Sequence, residues 1–182
     1  ILILECQKAW YQAWYRDTRI ETDANMSHLS QIGAAGLPVL RELLPAGADV
    51  DGRDGDGRPA LWLAAWRGEL GVVVQLVELG ASPMLADSHG RSPLHAAAGG
   101  GGGGHLAVVQ WLAGHGGSVA QPDHDGHSPF FGAAHHGHLE VVQWLARNGG
   151  SVTDGSNDGT TPLHMAAHGG HGAVVHWIAT HG

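Results

Sequence analysis

The sequence predicts an all-α fold, a solenoid of stacked helix-turn-helix units with connecting hairpin loops. Four stretches repeat nearly the same residues, opening at Gly57, Gly90, Gly126 and Gly159, so that the spacings are 33, 36 and 33 residues. Internal periods of this length indicate supersecondary units that stack on one another. Each unit also places an Ala-Ala segment before a Val-Val or similar aliphatic segment, which favours two short helices.

The first helix of each unit is expected to begin at a Ser-Pro or Thr-Pro pair, as at Ser92, Ser128 and Thr161. Serine and threonine are good N-caps, and proline suits the first helical position because its missing N–H would be unpaired there anyway. The Ala-Ala pair that follows lets a second helix lie close. We therefore expect one short helix after each of these pairs.

The second helix is expected after a glycine break such as Gly137 or Gly170. Leu139, Val141-Val142 and Leu145 then have the apolar spacing of a helix face. Between units, glycine-rich runs such as residues 51–57 and 148–159 favour tight turns. Each unit thus reads as helix, turn, helix and hairpin.

Two tetrapeptides carry a family resemblance: Ser92-Pro93-Leu94-His95 and Thr161-Pro162-Leu163-His164. They are similar to the T-P-L-H signature of the ankyrin repeat. The first full unit departs from it with Pro59-Ala60-Leu61-Trp62, and the third with Ser128-Pro129-Phe130-Phe131. The resemblance implies an ankyrin-repeat domain at 28–182, with a degenerate repeat at 28–50 and repeats at 57–89, 90–125, 126–158 and 159–182.

Residues 1–27 are expected to form an N-terminal amphipathic helix and a linker. In a helical register, one side carries apolar residues that define a terminal docking helix: Leu2, Ile3, Cys6, Trp10 and Trp14. This side either caps the solenoid or docks elsewhere. In the second case the helix would bind a partner protein, or residues 1–16 would associate peripherally with a membrane or a membrane complex.

Charge and cysteine content restrict the function further. The chain has 17 acidic residues against 9 lysines and arginines, a net charge of -8, which argues against binding nucleic acid. One cysteine excludes an intrachain disulfide and favours a reducing, intracellular compartment.

Fifteen histidines are the unusual part of the composition. The ankyrin resemblance implies that His95 and His164 join the hairpin to the helix by hydrogen bonds. It also implies that His138 and His171 are structural residues of the Gly-His turn. No cysteine-rich ligand spacing accompanies them, so the sequence predicts no metal and no cofactor. The alternative hypothesis is a metal- or pH-responsive module, because protonating every histidine would change the net charge from -8 to -8 + 15 = +7.

Three tryptophans, Trp111, Trp144 and Trp177, recur at intervals of 33 residues. We expect them to form an aligned core rib on successive second helices, with an aromatic recognition stripe as the alternative.

The sequence contains no recognisable nucleophile or acid–base constellation, so we expect no enzymatic activity. The resemblance implies a scaffold for protein-protein interaction. In one version of this hypothesis the chain is an accessory subunit of a larger complex and not a self-contained monomer. Trp66 beside Arg67 is the expected exposed anchor. The partner-binding positions implied by the family are Asp56, Arg58, Trp66, Arg67, Ser88, His89, Arg91, His124, Asp125, His127, His135, His136, Asn157, Asp158, Thr160 and His168.

Overall fold

A computed structural model describes residues 49–101 and 104–182. Within these ranges the regular structure is helical and forms four helix pairs. The pairs are α1 Ala60–Arg67 with α2 Leu70–Glu78, α3 Pro93–Gly99 with α4 Leu106–Gly114, α5 Pro129–His136 with α6 Leu139–Arg147, and α7 Pro162–His168 with α8 Gly172–His181. This confirms the predicted all-α solenoid. The predicted terminal helix and nearly all of the degenerate repeat lie outside the described residues.

The first helices begin at the predicted caps. The Ser92 hydroxyl accepts a hydrogen bond from the His95 backbone N–H at 3.4 Å, and Thr161 caps α7 through His164 in the same way at 3.4 Å. Ser128 caps α5 through the backbone N–H of Phe131 at 3.3 Å. Helix α1, which follows Pro59, lacks a side-chain cap.

Gly68 and Gly137 terminate α1 and α5 for two reasons. Both have a positive φ, 76° and 79°, in which L side chains are strained. A Cβ at Gly68 would also lie 2.1 Å from Nδ1 of His105, and one at Gly137 would lie 2.3 Å from Nδ1 of His171. Glycine is required here because the next repeat packs directly on the backbone.

The four first helices form a continuous row, in which α1 packs on α3, α3 on α5 and α5 on α7. These contacts are more extensive than those between successive second helices. Small residues such as Ala97 and Ala133, both fully buried, allow the close approach. Leu94 and Phe130 are also fully buried, so the apolar core runs along the whole described array.

The three periodic tryptophans differ from the expected core rib. Trp111, Trp144 and Trp177 are half-buried and pack on the margin of the core. Trp111 stacks on His115 with ring centroids 3.8 Å apart, and Trp177 stacks on His181 at 4.5 Å. The aliphatic residues fill the interior instead. Each Trp precedes a buried Leu or Ile by one position, which rotates it about 100° away from that residue on the helix.

Candidate functional site

Each of the first three hairpins is built on an inward-pointing aspartate. One carboxylate oxygen of Asp54 accepts hydrogen bonds from the backbone N–H groups of Asp56 and Arg58, at 3.0 and 2.8 Å. Asp87 and Asp123 make the same pair of bonds in their own hairpins. Ser156 occupies the corresponding position in the fourth hairpin, where its hydroxyl donates to Asp158 at 2.5 Å. The hairpins are therefore rigid supports for the side chains at their tips.

Two predicted contact residues, Arg58 and Arg91, are engaged within these hairpins. Arg58 pairs with Asp54 at 2.9 Å, and Arg91 pairs with Asp87 at 2.6 Å. Both guanidinium groups also lie over the Trp62 indole, 5.9 and 5.4 Å from its centroid. The side chain of Arg58 is only 15% exposed, whereas that of Arg91 is 41% exposed. Arg91 is therefore the better placed of the two to meet a partner.

Hydrogen bonds also join neighbouring hairpins. The Ser88 hydroxyl donates to the carbonyl of Asp56 at 2.6 Å, and the Asn157 side-chain amide donates to the carbonyl of His124 at 3.0 Å. Ser88 and Asn157 were predicted as partner contacts. Their side chains hold the hairpin row together in addition to being exposed at its edge.

Histidines link the repeats through backbone carbonyls. His95 accepts at Nδ1 from the Ser92 N–H, at 3.1 Å, so its Nε2–H donates to the carbonyl of His127 at 3.0 Å. His138 donates to Gly100, and His171 donates to His135, both at 2.9 Å. These contacts agree with the predicted structural roles of the three histidines.

The predicted role of His164 is met only in part, because the residue is exposed and its imidazole bonds to the Thr161 cap of its own helix. A further linking histidine, His105, was not predicted. It donates to the carbonyl of Trp66 at 3.1 Å. The signal for it was the pair Gly104-His105, which matches Gly137-His138 at the same place in the next unit.

A cleft of about 450 Å³ lies between the hairpins and the first helices. All four repeats contribute to its walls. The predicted site residues that line it are Trp66, Arg91, His127, His135, His136, Asp158 and Thr160. Trp66 is half-buried in this wall, and the prediction that it is exposed was wrong, because its indole packs against the core margin.

Three large apolar residues of the cleft were not predicted: Trp62, Phe131 and Met165. Trp62 and Phe131 occupy the tetrapeptide position that is histidine in the second and fourth repeats. This departure from the repeat pattern could have indicated in the sequence that Trp62 and Phe131 belong to the site. Gly99 also lines the cleft, at the position of Trp66 and His135 in the neighbouring repeats. Glycine adds no side chain to this part of the wall.

The remaining predicted residues lie outside the cleft, and the structure does not bring them together with it. Apart from the largely buried Arg58, all of these are exposed: Asp56, Arg67, Ser88, His89, His124, Asp125, Asn157 and His168.

The cleft has an uneven charge at neutral pH. The Ser156 hydroxyl and the Thr160 N–H bond to Asp158 and lower the pKa of its carboxyl to about 2. Burial lowers the pKa of His135 and of His136, and neighbouring histidines lower both further. Asp158 is therefore ionised near pH 7, whereas these two imidazoles are neutral.

None of the helices in residues 49–101 and 104–182 is long and apolar enough to cross a bilayer.

Comparison with known proteins agrees with this architecture. The family profile described as ankyrin repeats (3 copies) matches residues 29–123 and 102–182. The chain belongs to the ankyrin repeat family. Ankyrin repeats generally mediate protein–protein interaction, and the domain is typically non-catalytic.

Several named proteins are similar to this ankyrin repeat chain. Human ankyrin repeat domain-containing protein 63 is 39% identical over 100 residues, which are 51% of this chain and 26% of that protein. The Schizosaccharomyces pombe ankyrin repeat-containing protein P1E11.10 is 37% identical over 73 residues, 40% of this chain and 34% of the relative. The Saccharomyces cerevisiae palmitoyltransferase AKR1 is 37% identical over 75 residues, 39% of this chain and 10% of that enzyme. The chain thus spans about a third or less of the length of these relatives.

Proposed function

We propose that this chain is a non-catalytic scaffold that binds a segment of another protein in the cleft between its hairpins and first helices. The observation that carries the proposal is that all four described repeats supply side chains to one continuous cleft. A surface assembled from several repeats suits an extended ligand, because each repeat offers a contact along the ligand.

The chemistry of the cleft supports a peptide ligand. Trp66, Phe131 and Met165 supply apolar surface, and Arg91 and Asp158 add opposite charges. An apolar centre with a polar rim is the usual composition of a protein interface, and tryptophan and arginine are enriched among its strongest contacts. Of the predicted contact residues, we propose that those lining the cleft make the main contacts with the ligand.

Gly99 offers a direct test of the site. A Cβ at Gly99 would lie 3.5 Å from Cδ2 of His136, an ordinary van der Waals distance, so the backbone accepts a side chain there. Gly99→Leu should place a large side chain in the cleft, whereas Gly99→Ala adds a single methyl group and serves as the matched control.

The experiment selects a random peptide library, displayed on phage, against the purified chain. Selected peptides should bind the wild type and Gly99→Ala and lose binding to Gly99→Leu, with all three proteins showing the same helical circular dichroism. If the peptides bind Gly99→Leu as tightly as the wild type, the cleft is not the peptide-binding site. A library that yields no binders would contradict the scaffold function itself.

We also propose that the chain works inside the cell as an accessory subunit, with residues 1–16 docking on another component. The apolar side of that segment in the sequence supports this finer proposal. Light scattering of the purified chain tests it, since a monodisperse monomer would contradict the subunit role. Because the similarity to the palmitoyltransferase covers 10% of that enzyme, we propose no transferase activity for this chain.

A further inference from the structure

The third hairpin, at residues 123–127, differs from the others in its ligand chemistry. Asp123, Asp125 and His127 each direct a potential metal-ligand atom to the same place, and these atoms all lie within 4.8 Å of one another. In the part of the chain that the structure describes, the other three hairpins lack this combination of two carboxylates and an imidazole.

The first hairpin shows what such a pair of carboxylates does. There Asp54 and Asp56 stand at the same positions as Asp123 and Asp125, and Arg58 stands at the position of His127. The Arg58 guanidinium forms ion pairs with both carboxylates. The backbone of this hairpin therefore brings two carboxylates onto one cation. In the third hairpin the built-in cation is replaced by a residue that can itself bind a metal.

The hydrogen bonds of Asp123 prepare it as a fixed ligand. Its Oδ1 accepts from the backbone N–H groups of Asp125 and His127 at 3.0 and 2.8 Å, and its side chain is 5% exposed. This leaves Oδ2 for another partner, and Oδ2 lies 3.3 Å from Nδ1 of His127. A metal ion would lie between this oxygen and the imidazole nitrogen.

The other two ligands have the freedom to adjust. Asp125 is exposed, and the His127 side chain is 35% exposed. His127 also stacks on Phe131, with ring centroids 4.3 Å apart, so that one face of the ring is supported. The carboxylate of Asp158 in the next hairpin adds negative charge near His127.

We propose that Asp123, Asp125 and His127 form a site for a divalent transition-metal ion, with Zn²⁺ the best match. Zinc accepts imidazole nitrogen and carboxylate oxygen at about 2.0–2.2 Å, so the donor atoms must close by roughly 1–2 Å, a shift within reach of two adjustable side chains. Calcium and magnesium prefer a shell of oxygen atoms alone. The sequence prediction of no metal rested on the lack of cysteine spacing, which does not apply to a site of this composition.

The test measures zinc stoichiometry by isothermal titration calorimetry on the full chain, with a non-thiol reductant present. His127→Arg copies the first hairpin, so it should fold normally and bind one Zn²⁺ fewer than the wild type. Asp125→Asn, at an exposed position, should weaken the same binding event. Arg58→His gives the first hairpin the same three ligand types and should add one bound ion.

The comparison between variants removes any contribution from zinc that is bound weakly by other histidines of the chain. Co²⁺ should report the same site by visible absorption that is lost in His127→Arg. Equal zinc stoichiometry in the wild type, His127→Arg and Asp125→Asn would overturn the assignment. The readout uses the metal alone, so it is independent of whether a peptide binds in the cleft.

Discussion

The Nε2–H of His95 donates to the carbonyl oxygen of His127 at 3.0 Å, joining the first helix of one repeat to the hairpin of the next. The same imidazole accepts at Nδ1 from the backbone of Ser92, so one buried side chain both caps its own helix and fixes the neighbouring unit. Bonds of this kind make the relative placement of the repeats, and hence the shape of the cleft, a property of the whole array.

His95→Ala should therefore destabilise the protein more than His164→Ala. The first change removes a buried cap and the bond to the next repeat, and we expect a loss of about 2–4 kcal/mol. His164 caps its helix in the same way but is exposed, so about 0.5–1 kcal/mol is expected. Urea unfolding of both variants measures the difference, and equal losses would contradict the importance of the link.

Stability should fall as the pH drops from about 7 towards 5. Burial lowers the pKa of His95 below its ordinary 6.5. The hydrogen bond to the His127 carbonyl opposes this shift, as do Asp123 and Asp87 more weakly, and Arg91 adds to it. Burial lowers the pKa of His135, His136 and His138 as well. Below pH 6.5 the unfolded chain then binds more protons than the folded one, which favours unfolding until the folded-state pKa values are passed.

Urea unfolding at several pH values tests this direction. His95→Gln should show a shallower decline on acidification than the wild type. A stability that stays constant or rises towards pH 5 would rule out the proposed cause.

Leu145→Ala should cost more stability than Trp144→Ala although the tryptophan side chain is larger. Leu145 is completely buried, and its truncation should cost about 2–5 kcal/mol. Trp144 is half-buried at the core margin, and we expect about 1–2 kcal/mol. Chemical denaturation of the two neighbouring variants provides the comparison. The reverse order would mean that the tryptophans form the core rib after all.

Peptide binding in the cleft should depend on pH in a direction set by the charge of the peptide. Protonation of His135 and His136 adds positive charge to the cleft, which Asp158 also lines, as the pH falls. Fluorescence anisotropy should show acidic peptides binding more tightly near pH 5.5 than near pH 7.5, and basic peptides more weakly. Replacing both histidines with glutamine should flatten the profile. A flat profile in the wild type would exclude the pH-responsive hypothesis.

The repeat pattern was sufficient to predict the helices, because Ser-Pro caps, glycine breaks and aliphatic spacing act within a few residues of each other. Of the linking histidines, His95, His138 and His171 were also predictable from their positions in the repeat, whereas His105 was missed. The half-burial of Trp144 was not, since a helical position predicts a face but not how far the neighbouring repeat covers it. The roles of Arg58 and Ser88 were missed for a related reason: their partners depend on the detailed geometry of the hairpins.

Trp66 and His135 each have two separate tasks in the structure. Their carbonyl oxygens receive the bonds from His105 and His171, whereas their side chains face the cleft. Because every amino acid carries the same carbonyl group, the side chain at either position can change during evolution without removing the bond that holds the stack. A repeat array of this kind is therefore free to acquire a new ligand while keeping its old architecture.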